Sequence, residues 1–374
     1  MVDLRQYWVG FNLVKGIGAA RMRALLNYFG EVDAAWNAPA EELLQAGLSQ
    51  KIVQVLLKLR AETDLGQLWQ QIQAQGIRVL TWKDSAYPRR LREIDLPPPV
   101  LYVRGSLSEL DEWAVAVVGT RRLTHYGRQM AEEIASVLAC NGVTVVSGLA
   151  RGVDSVAHKA ALAAGGRTIA VLGSGVDVVY PPEHSALAEK ILTNGALVSD
   201  YPPGTPPDGV NFPPRNRLIS GLSLAVVVVE AGAKSGALIT AEFAADQGRE
   251  VFAVPGNINA PQSVGCNRLI QDGAHPLLRP QDVLESLNLT MVVEHQTART
   301  NLPVDATEQH LLSLLGMQTL HVDELRALSN LPVEQVTSAL AMMELKGMVR
   351  QVGGMRYVAV REALAGYNIG DGLE

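Results

Sequence analysis

Cysteine is nearly absent: Cys140 and Cys266 lie far apart, with no neighbours at metal-ligand spacing. That excludes a disulfide framework and a thiolate metal site, and both thiols read as small buried apolar groups of a reducing compartment. No apolar run is long enough to cross a bilayer, and Met1–Gln6 leads into no clean signal-peptide core. The expectation is a cytoplasmic protein with no membrane partner. An excess of positive charge is also missing. Lys and Arg number 32 against 38 Asp and Glu, a net charge of −6, so any polyanion must be met by a local cluster of cations. Aromatics make up 5% of the residues and hydrophobics 48%, an ordinary globular balance with material for two or three domains.

The frames of the common nucleotide cofactors are incomplete. Gly173-Ser174-Gly175 follows a strand, but no third glycine follows and the next residues, Val176 to Pro182, cannot open a helix at once. Lys234-Ser235 lacks the preceding glycine frame of a Walker A loop. No cofactor is expected. A catalytic constellation is equally thin. His158 lies four residues after Asp154 without a nucleophile, and Glu230 ends a strand without an acid/base partner. The expectation is therefore no catalytic residue, no metal and no enzyme.

What is present begins with helices. Residues 1–75 read as helical, and Gly16-Ile17-Gly18 interrupts a helical pattern that resumes at Arg21. This is either a helix-hairpin-helix, whose second helix would face a phosphate, or a glycine corner without a ligand. Residues 76–287 form a second region. Its connector, 76–112, carries a strand at Arg78–Trp82, the Tyr87-Pro88 pair and the extended Pro97-Pro98-Pro99 segment. From Trp113 onward strands and helices alternate. The strands are Ala114–Gly119, Val143–Ser147, Thr168–Leu172, Ala196–Ser199, Leu224–Val229 and Glu250–Val254, the pattern of a mostly parallel α/β sheet covered on both faces. A polar linker spans 288–304. Residues 305–362 give three helices and a hairpin around Gly353-Gly354, a winged-helix pattern, and 363–374 is an unpatterned tail.

The strand ends carry the candidate chemistry. Gly119-Thr120-Arg121, Gly148 to Arg151, Lys234-Ser235-Gly236 and Asn257 each sit in a glycine-bearing loop at a strand's carboxyl end, where backbone amides and helix N-termini accept phosphate. Phe212-Pro213-Pro214-Arg215-Asn216-Arg217 adds an aromatic and two arginines on a proline-stiffened loop. That set suits a sugar-phosphate backbone with a stacked base, or equally a helix N-terminus with Phe212 in the core.

Five segments, GTR at 119–121, SGLARGVD at 147–154, FPPRNR at 212–217, EAGAKSGALITAEFA at 230–244 and PGN at 255–257, resemble the DNA-processing protein A (DprA, or Smf) family. The resemblance covers essentially the whole chain. It implies an extended Rossmann-like domain flanked by an N-terminal helical (helix-hairpin-helix or SAM-like) domain and a C-terminal winged helix. It further implies a homodimer that binds single-stranded DNA, duplex more weakly, and loads RecA recombinase on incoming strands in natural transformation. The implied pocket uses Arg121, Phe212, Arg215, Arg217 and Lys234. An enzyme alternative is a nucleotide phosphoribohydrolase, whose PGGxGTxxE loop is replaced here by EAGAKSGALITAE. A winged-helix regulator is a third reading, against which the expected recognition helix 333–346 carries Glu334 and Glu344 with a single Lys.

Overall fold

The computed structural model describes residues 3–289, 305–315, 319–345, 348–351 and 354–359. The linker expected at 288–304, apart from its first two residues, and the tail at 363–374 lie outside the described residues, as do Lys346 and Gly353. The chain divides into two compact units, Met1–Leu287 and Asn288–Glu374.

The first unit opens with six helices: α1 (Arg5–Leu13), α2 (Ala19–Phe29), α3 (Val32–Asn37), α4 (Ala40–Gln45), α5 (Gln50–Glu62) and α6 (Leu65–Ala74). Gly16, at φ 102°, and Gly18, the N-cap of α2, make the α1–α2 turn that the sequence marks. Trp8, Phe11, Met22, Leu25, Leu43 and Leu56 form the helical core. It continues onto Val79, Val100 and Tyr102 of two strands, β1 (Arg78–Thr81) and β2 (Val100–Gly105). Between them lies α7 (Arg89–Glu93).

The α/β region supplies β3 (Ala114–Val118), α8 (His125–Cys140), β4 (Thr144–Ser147), α9 (Val153–Ala163), β5 (Thr168–Val171), α10 (Ser185–Thr193) and β6 (Gly195–Ser199). It continues through α11 (Phe212–Gly221), β7 (Ala225–Val228), α12 (Gly236–Asp246), β8 (Glu250–Ala253), α13 (Val264–Gln271), β9 (His275–Pro276) and α14 (Gln281–Ser286). All nine strands join one sheet in the order β1-β2-β6-β5-β4-β3-β7-β8-β9. The seven from β6 to β9 are parallel, and β1 and β2 attach antiparallel at one edge. β-Branched runs buried on both faces, such as Ala114–Val118, form the centre. On one face Ala116, Val118, Val226 and Val228 pack with Leu218 and Ile219 of α11 and Ala241 of α12. On the other, Ala170 and Leu197 pack with Leu187 and Ile191 of α10.

Strand order reverses at β3. Its successor β4 lies on one side, whereas β7, paired Val115↔Ala225 to Val118↔Val228, lies on the other. A doubly wound sheet opens a crevice at such a switch point, outside the carboxyl ends of its strands.

The second unit has α15 (Ala306–Leu315), β10 (Leu320–His321), α16 (Val322–Ser329), α17 (Val333–Leu345), β11 (Val349–Gln351) and β12 (Arg356–Ala359). A three-stranded sheet of order β10-β12-β11 and a core of Leu311, Leu315, Leu325, Leu340 and Met343 complete a winged helix.

A candidate nucleic-acid crevice at the switch point

The crevice has a volume of about 680 Å³ and is walled by the loop after β3, the N-terminal turns of α11 and α12, and Tyr180. Gly119, Thr120, Arg121, Phe212, Arg215, Asn216, Ser235 and Gly236 all line it. Gly148 and Arg151 border a narrow recess beside it that shares Arg121, Tyr180, Phe212 and Arg215. Arg217, Lys234 and Asn257 are not among the lining residues.

Close loop packing shapes the floor. A Cβ on Gly119 would lie 2.6 Å from Val153 Cγ2, and Gly152, at φ 81°, leaves no room for one beside Thr120 O. The loops after β3 and β4 therefore touch through glycine. Thr120 N donates to Glu230 O at 2.7 Å, and the Glu230 carboxylate accepts from Thr124 N at 2.9 Å. Glu230 is buried and anchors the start of α8, so it is not a free acid at the strand end.

The loop after β4 is bonded within the protein, which corrects the expectation that all the strand-end amides face the crevice. The Asp154 carboxylate accepts from Gly148 N at 3.1 Å and Ala150 N at 3.3 Å. Between them Leu149 holds a left-handed φ of 56°, a conformation that costs about 1–3 kcal/mol for a side-chain-bearing residue. His184 Nδ1 bonds Leu149 O at 2.8 Å. Burial pushes the Asp154 carboxyl upward, against the pull of Arg215 and the two amides.

FPPRNR is not a loop. Pro213 and Pro214 occupy the first turn of α11, where a missing N–H costs nothing. Residues two apart on a helix point to different sides, and the two arginines do different things. Arg215 is 4% exposed; Nη1 donates to Gly148 O at 2.9 Å and also to Val171 O. Burial lowers its pKa to about 10, so it stays charged at neutral pH. Arg217 pairs with Asp200 at 2.5 Å and donates to Leu96 O. Asn216 Nδ2 donates to Gly236 O at 3.2 Å, tying α11 to the start of α12. Ser235 caps α12, and its Oγ accepts from Ala237 N.

The exposed cations are Arg121, Arg122 and Lys234, none ion-paired among the described residues, and Arg151, which pairs with Glu183 at 2.5 Å. Half-buried Phe212 has the guanidiniums of Arg121 and Arg215 at 5.6 and 5.8 Å from its ring centroid, within cation–π range. Among the lining residues, Arg122 and Tyr180, and with them Pro207, Gly209 and Ile219, are absent from the sequence-derived set. Arg122 directly follows Gly119-Thr120-Arg121, an available signal, whereas Tyr180 comes from the β5–α10 connection. Asn257 is exposed and accepts from Asn259 N. His158 is wholly buried, its Nδ1 2.7 Å from Thr168 Oγ1. The Thr168 hydroxyl gives its proton to Val145 O, so Nδ1 carries the hydrogen and Nε2 is left without a partner among the described residues. No group of His, Cys, Asp and Glu among the described residues could hold a metal ion, and no helix there is long and apolar enough to cross a membrane.

A doubly wound, mostly parallel sheet with a crevice at its switch point defines a Rossmann-like class of α/β proteins. Comparison narrows the class. Residues 78–288 match the family model DNA recombination-mediator protein A, and residues 295–355 match the DprA winged helix domain. Protein Smf of Escherichia coli strain K12 is 38% identical, covering 86% of this chain and 87% of its own. Protein Smf of Synechocystis is 34% identical, with 94% and 98% covered. The X-ray structure of DNA processing protein A from Streptococcus pneumoniae superposes with a TM-score of 0.67 at 36% identity, covering 75% of this chain and 97% of that one. A Helicobacter pylori DNA processing protein A, described for its single-stranded DNA binding mode, gives a TM-score of 0.51 at 32% identity, covering 56% and 96%. The chain belongs to the DNA recombination-mediator protein A (DprA/Smf) family.

Proposed function

We propose that this chain binds single-stranded DNA along the switch-point crevice, and duplex more weakly. It acts as a homodimeric recombination mediator that protects incoming strands in natural transformation and loads RecA on them. The observation that carries the reading is the combination of Arg121 and Arg122, exposed and without ion pairs among the described residues, with a half-buried aromatic in one open crevice. Asp154 and Glu230 beside them are buried and bonded to backbone amides, and exposed Asp208, between the lining residues Pro207 and Gly209, accepts from Val210 N. The family and the H. pylori neighbour support the same ligand.

In this reading Arg121, Arg122 and Lys234 meet phosphates, and Ser235 and Gly236 offer the start of α12. Arg215 and Asn216 act from beneath, fixing α11 to the ends of β4 and β5 and to α12, and Arg217 ties it to Asp200 after β6 and to Leu96. Such a site does its work by electrostatics and stacking, with no bond made or broken and no cofactor. Titration of oligo-dT and a matched duplex at several salt concentrations tests it. Arg121→Ala and Lys234→Ala should each weaken single-strand binding and flatten the salt dependence by about 0.7 in log–log slope, one phosphate contact each. Unchanged affinity in both variants rejects the site. The mediator role is checked separately, by whether the protein lets RecA displace a single-strand-binding protein from DNA.

A further inference from the structure

We infer that Tyr180, which lies outside the arginine-bearing motifs, is the ring that receives a nucleobase in the crevice, with Phe212 as its backing. The inference rests on the single-strand reading above and assigns which face of the site takes the base.

The two rings differ in the space around them. Phe212 is half-buried and crowded. A Cβ on Gly173 would lie 2.8 Å from its Cδ1, and two guanidiniums lie within 6 Å of its centroid. Tyr180 is 39% exposed and lines the same crevice. The two centroids are 5.7 Å apart with planes at 36°. A base held between two rings needs about 7 Å, twice the ~3.5 Å contact distance of carbon atoms. The pair is therefore closed as a slot, and a base must lie on an outer face. The ring with the more open face is that of Tyr180.

The segment that carries Tyr180 is braced on both sides. Ser174 Oγ donates to Val178 O at 2.7 Å, His184 N donates to Pro181 O at 3.0 Å, and the Asp177 carboxylate accepts from Gly204 N at 2.9 Å. A ring presented from a fixed backbone loses little freedom when a base stacks on it, so more of the stacking energy appears as affinity. Arg121 and Arg122 border the same space from the loop after β3. A strand whose phosphates meet those arginines can turn a base toward Tyr180. Stacking of this kind tolerates any base, because every base has a π-face.

The test uses the full chain and two labelled oligonucleotides of equal length, oligo-dT and an abasic deoxyribose-phosphate strand. Tyr180→Ala should bind oligo-dT about ten-fold more weakly and bind the abasic strand as the wild type does, with an unchanged unfolding midpoint. Tyr180→Phe should keep the wild-type affinity for both. Wild-type binding of oligo-dT by Tyr180→Ala overturns the assignment, and so does a Tyr180→Phe variant as weak as Tyr180→Ala, which would make the hydroxyl the contact. Arg121→Ala separates this from the underlying reading, because it should weaken both strands equally. If the wild-type protein binds neither strand, the single-strand reading falls and this inference with it.

Discussion

Gly173 controls a ring that it does not resemble. The Gly-Ser-Gly segment looks like part of a dinucleotide loop in sequence, yet its first glycine makes room for Phe212. Gly173→Ala should push the Phe212 ring toward the crevice, weaken oligo-dT binding about ten-fold, and cost about 1–2 kcal/mol of stability through overpacking. Titration and urea unfolding read the two effects separately; intact affinity together with intact stability rejects the account. Arg215 and Arg217 teach the converse lesson. Sequence makes them look like equal phosphate ligands, and only helical geometry separates them. One points into the carboxyl ends of β4 and β5 toward Gly148 O and Val171 O, the other toward Asp200. Burial of a cation is invisible in a linear reading, because the acceptors that permit it come from residues 44 and 67 positions away.

Among elements, α9 shows a coupling between packing and acidity. His158 on α9 sits against Thr168 of β5 with no exposure, and burial holds its pKa down at about 3, with His184 and Arg215 adding repulsion. The folded chain therefore refuses a proton that the unfolded chain accepts from its ordinary value of 6.5 downward. Stability contributed by the neutral imidazole is complete above that value. It is lost as pH falls toward 3, by up to ~1.4 kcal/mol per pH unit for this single group. Urea unfolding between pH 7 and 4 should show this slope, and His158→Gln should flatten it; equal slopes in both proteins reject the assignment. Strands were the most legible elements, since Leu224–Val229 and Ala114–Gly119 are β-branched runs without polar interruption and match β7 and β3 within two residues. Their adjacency was not legible, because nothing in either run encodes that residue 115 pairs with residue 225. The prolines of FPPRNR left two readings open, a stiff loop and a helix N-terminus, and the structure selects the helix. At the first turn of a helix proline is favoured, and a linear reading cannot tell that position from a stiff loop. The exposed face of α17 carries Glu334 and Glu344, and Glu344 accepts from Gln351 N at 3.2 Å, so that acid serves the winged-helix fold itself.

For the whole molecule, a net charge of −6 surrounds a small cationic site. On the proposed reading, long-range attraction to DNA should be weak, and affinity should come from contacts within a Debye length of about 8 Å at physiological salt. With Arg121, Arg122 and Lys234 as the phosphate contacts, the log–log salt slope for single strands should be about −2, as expected for three neutralised charges. A slope several times steeper, measured by titration at graded salt, would mean that a much larger basic surface takes part. The placement of the crevice has a consequence in time. One wall belongs to the loop after β3, near residue 120, and the other to α11 and α12, which begin at residues 212 and 236. On a ribosome, the first wall emerges roughly a hundred residues before the second, about 5–20 s earlier at ordinary rates of synthesis. A nascent chain in that interval owns Arg121 but no Phe212. The crevice proposed to hold DNA is complete only when β7 docks beside β3.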